Sequence, residues 1–275
     1  MKQHGLNLRF TINELRFMKI TFYKYQGTGN DFIIIDNRKG DVRLPTKQIN
    51  FLCDRKFGIG ADGLMLLGLK KGYDFKMVYY NADGNESSMC GNGGRCLTQF
   101  AFDKGIKKKQ YSFIAIDGEH EAEFDDKGWV NLKMTDVKEI KKHQGNYILN
   151  TGSPHYVKSV LEVTEFNVFK EGQKIRYSKP FETKGINVNF VQQPEENKLI
   201  VRTYERGVEN ETLSCGTGVT ASALVFSDDN AHQRINIETL GGKLAVEFDK
   251  ISDKSFKNIW LCGPATFVFK GEIDV

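Results

Sequence analysis

No run of apolar residues in this 275-residue chain approaches the ~18 needed to cross a membrane as a helix. The first 17 residues carry charges at Lys2, Arg9, Glu14 and Arg16 and lack the apolar stretch of a signal peptide. The expected compartment is the cytoplasm, with no membrane partner. Met18 is an alternative start, which would make residues 1–17 a dispensable N-terminal extension. The five cysteines are odd in number and contain no Cys-x-x-Cys, which argues against a disulfide framework or a zinc site. No metal is expected. A Gly-Lys-Ser/Thr phosphate loop is missing, and so is any obvious signature for a pyridoxal cofactor. Strong charge is missing too: 39 basic against 35 acidic residues leave +4. The densest basic run, Lys107-Lys108-Lys109, has no interleaved aromatics and reads as a solvated turn, not a nucleic-acid patch.

What the chain does have is a 40% apolar composition with 12% aromatics, enough for one large or two medium domains. Strand-like runs dominate, among them 19–26, 31–36, 63–69 and 74–80 in the first half and 186–192, 198–204 and 243–248 in the second. Few stretches read as helical, and the clearest begin at two cysteines. Tyr80-Asn81-Ala82-Asp83-Gly84 leads to Cys90-Gly91-Asn92-Gly93. Tyr204-Glu205-Arg206-Gly207 leads to Cys215-Gly216-Thr217-Gly218. Each is a strand ending in Tyr, a polar turn, then Cys-Gly-x-Gly at the head of a helix. After Cys90, the residues Leu97, Phe100 and Ala101 recur at helical spacing, closed by Lys104-Gly105. After Cys215 the run 219–226 is apolar nearly all round and predicts a buried helix. Earlier glycine turns also match, Gly27-Thr28-Gly29-Asn30 and Thr151-Gly152-Ser153-Pro154. The pattern predicts a duplicated unit, with a boundary near the Lys-rich stretch 135–144. Gly58-x-Gly60-x-x-Gly63 imitates a dinucleotide fingerprint, but a strand follows it where that motif needs a helix.

A duplicated unit can place its two thiols face to face. Cys53 and Cys262 lie in apolar segments and Cys96 on an apolar helix face, so these three read as core. Cys90 and Cys215 stand at helix N-termini, where partial positive charge is expected to lower a thiol pKa. The same N–H groups can hold a carboxylate. One thiolate could then remove an α-proton while the opposite thiol supplies one. A rival reading, Cys215 and His155 as a hydrolase pair, leaves the second matched cysteine idle. A plain amino-acid-binding protein would need neither thiol. As bland readings, Asn30 and Asn81 are turn formers, Arg206 a surface ion pair and His155 a packing residue.

From Met18 onwards the chain resembles the diaminopimelate epimerase family in Gly27-Thr28-Gly29-Asn30-Asp31-Phe32, Gly58-Ile59-Gly60-Ala61-Asp62-Gly63, Asn81-Ala82-Asp83-Gly84, Tyr204-Glu205-Arg206-Gly207 and both Cys-Gly-x-Gly motifs. The resemblance implies an α/β (α+β) fold of two pseudo-symmetric domains, each a β-sheet or barrel wrapped around a central helix. These would be residues 18–135 with a returning strand 263–275, and residues 136–262. It implies cofactor-independent epimerisation of LL-2,6-diaminopimelate to the meso isomer, in lysine and peptidoglycan precursor synthesis, by a homodimer. Cys90 and Cys215 match the acid/base thiols, and His155 and Glu205 match supporting positions. Asn30, Asn81, Gly91, Asn92, Asn187, Glu205, Arg206, Gly216 and Thr217 match substrate contacts. Two departures stand out: Ser153 where the family usually has Asn, and Gly63 where some members have Gln. Proline racemase is the nearer rival family, but Glu205-Arg206 suits a substrate with a second charged end.

Overall fold

The run Phe32-Ile33-Ile34-Ile35 is apolar on both faces because both faces of its strand are covered. In the computed structural model, which describes residues 18–275, all four side chains are buried. The extension expected at residues 1–17 lies outside the described residues. Phe32 and Ile34 belong to the main core, while Ile33 and Ile35 belong to a second cluster with Ile49 and Leu52. Strands buried on two sides are typical of parallel pairing with a helical cover.

The first half of the chain runs β1 (Lys19–Gly27), β2 (Asn30–Asp36), α1 (Thr46–Cys53), β3 (Gly63–Gly68), β4 (Phe75–Asn81), β5 (Glu86–Ser87), α2 (Gly91–Asp103), β6 (Gln110–Ala115), β7 (Gly118–Phe124) and β8 (Val130–Lys133). The second half runs β9 (Ile140–His143), β10 (Asn146–Asn150), β11 (Pro154–Ser159), α3 (Val168–Arg176), β12 (Asn187–Glu195), β13 (Lys198–Glu205), β14 (Asn210–Thr212), α4 (Gly216–Val225), β15 (His232–Thr239), β16 (Gly242–Ser252) and β17 (Ser255–Gly263), and ends in β18 (Thr266–Asp274).

Pairing shows the duplication directly. β1–β2 is antiparallel, β2–β3 parallel, β3–β4 antiparallel, β4–β6 parallel, and β6–β7–β8 antiparallel. β10–β11 is antiparallel, β11–β12 parallel, β12–β13 antiparallel, β13–β15 parallel, and β15–β16–β17 antiparallel. Order and sense agree strand for strand. β9 flanks β10 as β18 flanks β1, and the halves join through the antiparallel pair β8–β17. Each half curls round one buried helix, α2 or α4, and the fold is α/β with two pseudo-symmetric units. Lys104 ends α2 and Gly105 follows at φ +93°, a left-handed position that a glycine takes without strain.

Two expectations needed correction. The chain holds two further helices, α1 and α3, that the pattern did not announce. Both are short and lie on the outer face of a half-sheet; α3 buries only Val168 and Gly172, too few apolar positions for a visible period. The Lys-rich boundary stretch 135–144, not counted among the strand-like runs, contains β9, whose Lys141 and Lys142 are exposed while Ile140 is buried.

The seat of α3 depends on Gly172. A Cβ there would overlap Tyr204 Cβ and lie 2.6 Å from its Cγ, and Tyr204 is fully buried. Gly172→Ala should cost about 1–3 kcal/mol by overpacking. A denaturation midpoint equal to that of the unsubstituted protein would contradict this close contact.

Candidate active site

Cys90 is the N-cap of α2 and Cys215 the N-cap of α4, both in extended backbone. The two helix ends meet. A Cβ on Gly91 would lie 3.8 Å from Gly216 Cα, and one on Gly216 would lie 3.6 Å from Gly91 Cα. Leu261 Cδ2 closes the same gap at 3.0 Å and 2.8 Å from those positions, so neither glycine can carry a side chain without displacing it. Asn92 Nδ2 spans the halves, donating to Ser214 O (3.3 Å) and to Asn30 Oδ1 (3.3 Å). Cys53, Cys96 and Cys262 are buried away from solvent, as their apolar settings indicated.

Around Cys90 the structure gathers Asn30, Asn92 and Asp62. Asn30 Nδ2 donates to Asp62 Oδ2 (2.5 Å), which leaves Asn30 Oδ1 to accept from the Cys90 thiol (3.6 Å). This removes the reading of Asn30 as a turn former only. Asn81 ends β4 opposite Gly63, exposed, with its backbone N–H donating to Asn85 O (3.0 Å). Gly63 is required by its neighbour: a Cβ there would lie 2.5 Å from Tyr79 Cε2 and 2.6 Å from Tyr80 O. The Tyr79 ring thus occupies the space that a side chain at 63 would need.

Around Cys215 a buried polar chain is oriented from one end to the other. Asn189 Nδ2 donates to Tyr156 O (3.1 Å) and to His155 Nδ1 (3.1 Å), and its Oδ1 accepts from Thr203 Oγ1 (3.0 Å). His155 must then carry its proton on Nε2, which donates to Thr217 Oγ1 (2.9 Å). Thr217 Oγ1 in turn stands 3.5 Å from Cys215 Sγ and has its own proton left for the sulfur. His155 is fully buried, and burial, reinforced by the Arg206 charge, lowers its pKa from the ordinary 6.5 to about 3. The imidazole is neutral and holds a hydroxyl; it is not a packing residue. Nor is it placed as a base on Cys215, since Thr217 stands between them.

Glu205 is half-buried and accepts from Thr212 Oγ1 (3.0 Å); burial first, then the Asp62 charge, raise its pKa. Asn187 Oδ1 fixes the turn by accepting from the Arg206 backbone N–H (2.8 Å). The Arg206 guanidinium donates to Lys184 O (3.0 Å) and, among the described residues, has no carboxylate partner. Its charge is therefore not spent on a surface ion pair. Ser153 lies in the β10–β11 turn, where its carbonyl accepts from the Thr151 N–H (3.2 Å).

The thiol pKa values run against the expectation from helix dipoles. Burial pushes both thiols up, and the Glu205 charge pushes them further; the nearby Asn92 and Gly93 amides at Cys90, and Thr217 and the Gly218 amide at Cys215, only partly offset this. Desolvation penalises a full charge more than a helix end's partial charge repays it.

Three participants were not foreseen: Asn189, Thr203 and the fully buried Arg95. A signal was present for Asn189, a single amide inside the apolar run Val188–Val191.

Comparison with known proteins gives the same direction. The family model for diaminopimelate epimerase matches residues 22–140 and 147–268. The chain belongs to the diaminopimelate epimerase family. A diaminopimelate epimerase of Flavobacterium psychrophilum is 51% identical over 257 residues, covering 91% of this chain and 99% of its own length. One of Chlorobaculum tepidum is 40% identical, covering 90% and 99%. Among solved structures, a phenazine biosynthesis protein of the PhzF family from Bacillus anthracis has the same fold at 15% identity, with a TM-score of 0.74 over 93% of this chain and 99% of its own. A hydroxyproline epimerase from Agrobacterium vitis does so at 13% identity, with a TM-score of 0.63 over 94% and 92%. The fold is thus wider than the diaminopimelate epimerase family, and the site residues must carry the specificity.

A neutral buried His155 makes stability depend on pH. Its folded pKa of about 3 lies below the unfolded 6.5, so its contribution is complete above pH 6.5 and is lost as pH falls towards 3. His155→Gln should show a shallower loss of stability between pH 6.5 and 4 than the unsubstituted protein, by chemical denaturation at each pH. Equal slopes in both proteins would contradict a neutral buried imidazole.

Proposed function

We propose that this chain interconverts LL-2,6-diaminopimelate and its meso isomer by proton transfer between Cys90 and Cys215, a step serving lysine and peptidoglycan precursor synthesis. The observation that carries this reading is the abutting of two cysteine-capped helices from two halves of one duplicated fold. A substrate α-carboxylate sits between the free N–H groups of Gly91-Asn92 and Gly216-Thr217. Its α-carbon then lies between the two sulfurs. One sulfur, as thiolate, takes the α-proton and becomes a thiol. The electron pair passes into the carboxylate as an enolate-like charge, which both helix ends stabilise. The opposite thiol delivers its proton to the other face of the carbon and is left as thiolate. Charge and protons balance, and the reverse reaction exchanges the roles.

The raised thiol pKa values suit this scheme. A substrate α-ammonium brings a full positive charge into a buried site, and that charge favours the thiolate when substrate is present. In this reading Arg206 is the cation for the distal carboxylate, while Glu205, Asn81 and Asn187 receive the amines. Asn30 and Asn92 orient the Cys90 side. Ser153 offers one hydroxyl to the substrate's distal end. His155, through Thr217, orients the Cys215 side.

The working units are residues 18–135 with the returning strand 263–275, and residues 136–262, the site lying between them. Working thiols suit a reducing compartment, the cytoplasm. The protein acts as a homodimer. The reading is supported by β18, which among the described residues pairs with β1 and leaves its other edge open, with Phe267, Val268 and Phe269 about half exposed at 48%, 52% and 44%. An apolar open edge is a surface that proteins normally cover, and two copies can pair it about a two-fold axis.

Run in deuterium oxide, the reaction should place one solvent deuterium on the inverted α-carbon, seen by mass spectrometry. Cys90→Ala and Cys215→Ala should each abolish epimerisation. Inversion without label, or full activity in either variant, would sink the two-thiol scheme. Analytical ultracentrifugation should find a dimer that Val268→Glu dissociates, and a monomeric unsubstituted protein would remove the dimer assignment.

A further inference from the structure

The duplicated halves differ at one position in a way that chemistry must explain. Five residues after each capping cysteine, a buried side chain hydrogen-bonds the carbonyl of the first helical glycine. In α4 it is neutral: Thr220 Oγ1 donates to Gly216 O (2.9 Å). In α2 it is a cation: Arg95 Nη1 donates to Gly91 O (3.3 Å). Both side chains are fully buried. A hydroxyl does the structural task in one half, so the charge in the other half is surplus to it.

Among the described residues Arg95 has no carboxylate partner, and its buried Nε has no hydrogen-bond partner. Its Nη2 donates to Asn92 Oδ1 (3.0 Å) and reaches Thr28 Oγ1 (3.5 Å). Glycines wall it in: a Cβ on Gly27 would lie 3.3 Å from Nη2, and one on Gly263 would lie 3.2 Å from Nε. A side chain at either glycine would press on the guanidinium. An unpaired buried cation is costly and is normally compensated by an anion. The ionisable groups whose charge it feels are the thiols of Cys96, Cys90 and Cys262, and only Cys90 opens on the cleft.

We propose that Arg95 is the buried counter-ion of the Cys90 thiolate, a positioning residue that acts on one of the two thiols and not on the other. The remaining groups facing Cys90 cannot take that part. Glu205 from β13 opposes a thiolate, Tyr79 from β4 is un-ionised, Cys215 is the other member of the pair, and Asn30 Oδ1 accepts a hydrogen bond from the thiol and so supports the thiol form. A group that alternates between thiol and thiolate needs a partner for each state; Asn30 is placed for the first and Arg95 for the second. Arg95 also uses the Asn92 oxygen, which turns the Asn92 nitrogen towards Asn30 and Ser214. On the Cys215 side, the matching α4 position holds the neutral Thr220, and the Glu205 charge stands second only to burial in raising that thiol.

This rests on Cys90 being an acid–base group. Deuterium uptake tests that reading, whereas the following experiment reads the charge on Cys90 whatever the substrate. The full-length protein is alkylated with iodoacetamide over a pH series, and each cysteine is followed by peptide mass spectrometry. In Arg95→Met, the Cys90 midpoint should rise by about one pH unit or more, with alkylation at neutral pH about tenfold slower, while Cys215 moves by clearly less. Arg95→Lys, which keeps the charge, should restore most of the difference. An unmoved Cys90 midpoint in a folded Arg95→Met, or an equal shift at both cysteines, overturns the proposal. Should Arg95→Met fail to fold, the unsubstituted protein decides: Cys90 titrating below Cys215 supports the assignment, and the reverse order overturns it.

Discussion

The site depends on two helices starting within van der Waals reach of each other. Helix N-termini each carry about half a positive charge and repel when brought together. Here Gly91 and Gly216 face across a gap closed by Leu261, and Arg95 adds a full charge behind one end. Such an arrangement is tolerable only because large sheets on both sides hold it, and it is preorganised for an anion. In the proposed reaction the substrate carboxylate between the helix ends relieves the repulsion, and the enolate-like charge formed later relieves more, which is the direction catalysis requires.

The glycines follow from that constraint. Any side chain at 91 or 216 would press on Leu261 and force the helices apart. Position 218 is similarly closed by Asn189 and Thr203, and position 93 by Met65 and Phe32 at 3.3 and 3.5 Å. Those last contacts show how a duplicated scaffold becomes an unsymmetrical site. In matching registers, Phe32 stands where the other half has His155, Met65 where it has Asn189, and Tyr79 where it has Thr203. Cys90 is backed by apolar rings and a thioether on that side, Cys215 by a chain of oriented hydrogen bonds. Identical backbones thus deliver different electrostatics to two chemically identical groups.

Much of the fold was legible because its elements obey local rules. The strands showed as apolar runs between turn residues, and the two central helices as Cys-Gly-x-Gly followed by helical spacing. The outer helices α1 and α3 were not legible. They exist because a half-sheet needs a cover, a need that arises only once the sheet has formed. Of the proposed site, the residues that the sequence could nominate stand in repeated or turn-bound motifs: Cys90, Cys215, Asn30, Glu205 and Arg206. Arg95, Asn189 and Thr203 were missed, since the sequence around a polar residue carries no sign of which distant partner it will meet.

By itself, the sequence determined that there are two like units, each with one cysteine heading a helix, because a repeat of spacing is a local property. The tertiary structure alone decided that the helix heads touch, that burial raises both thiol pKa values, and that the halves are electrostatically unequal. Proximity, desolvation and the orientation of buried amides arise between segments far apart in the chain, as between Asn92 and Ser214 or His155 and Thr217. No spacing within one segment encodes them.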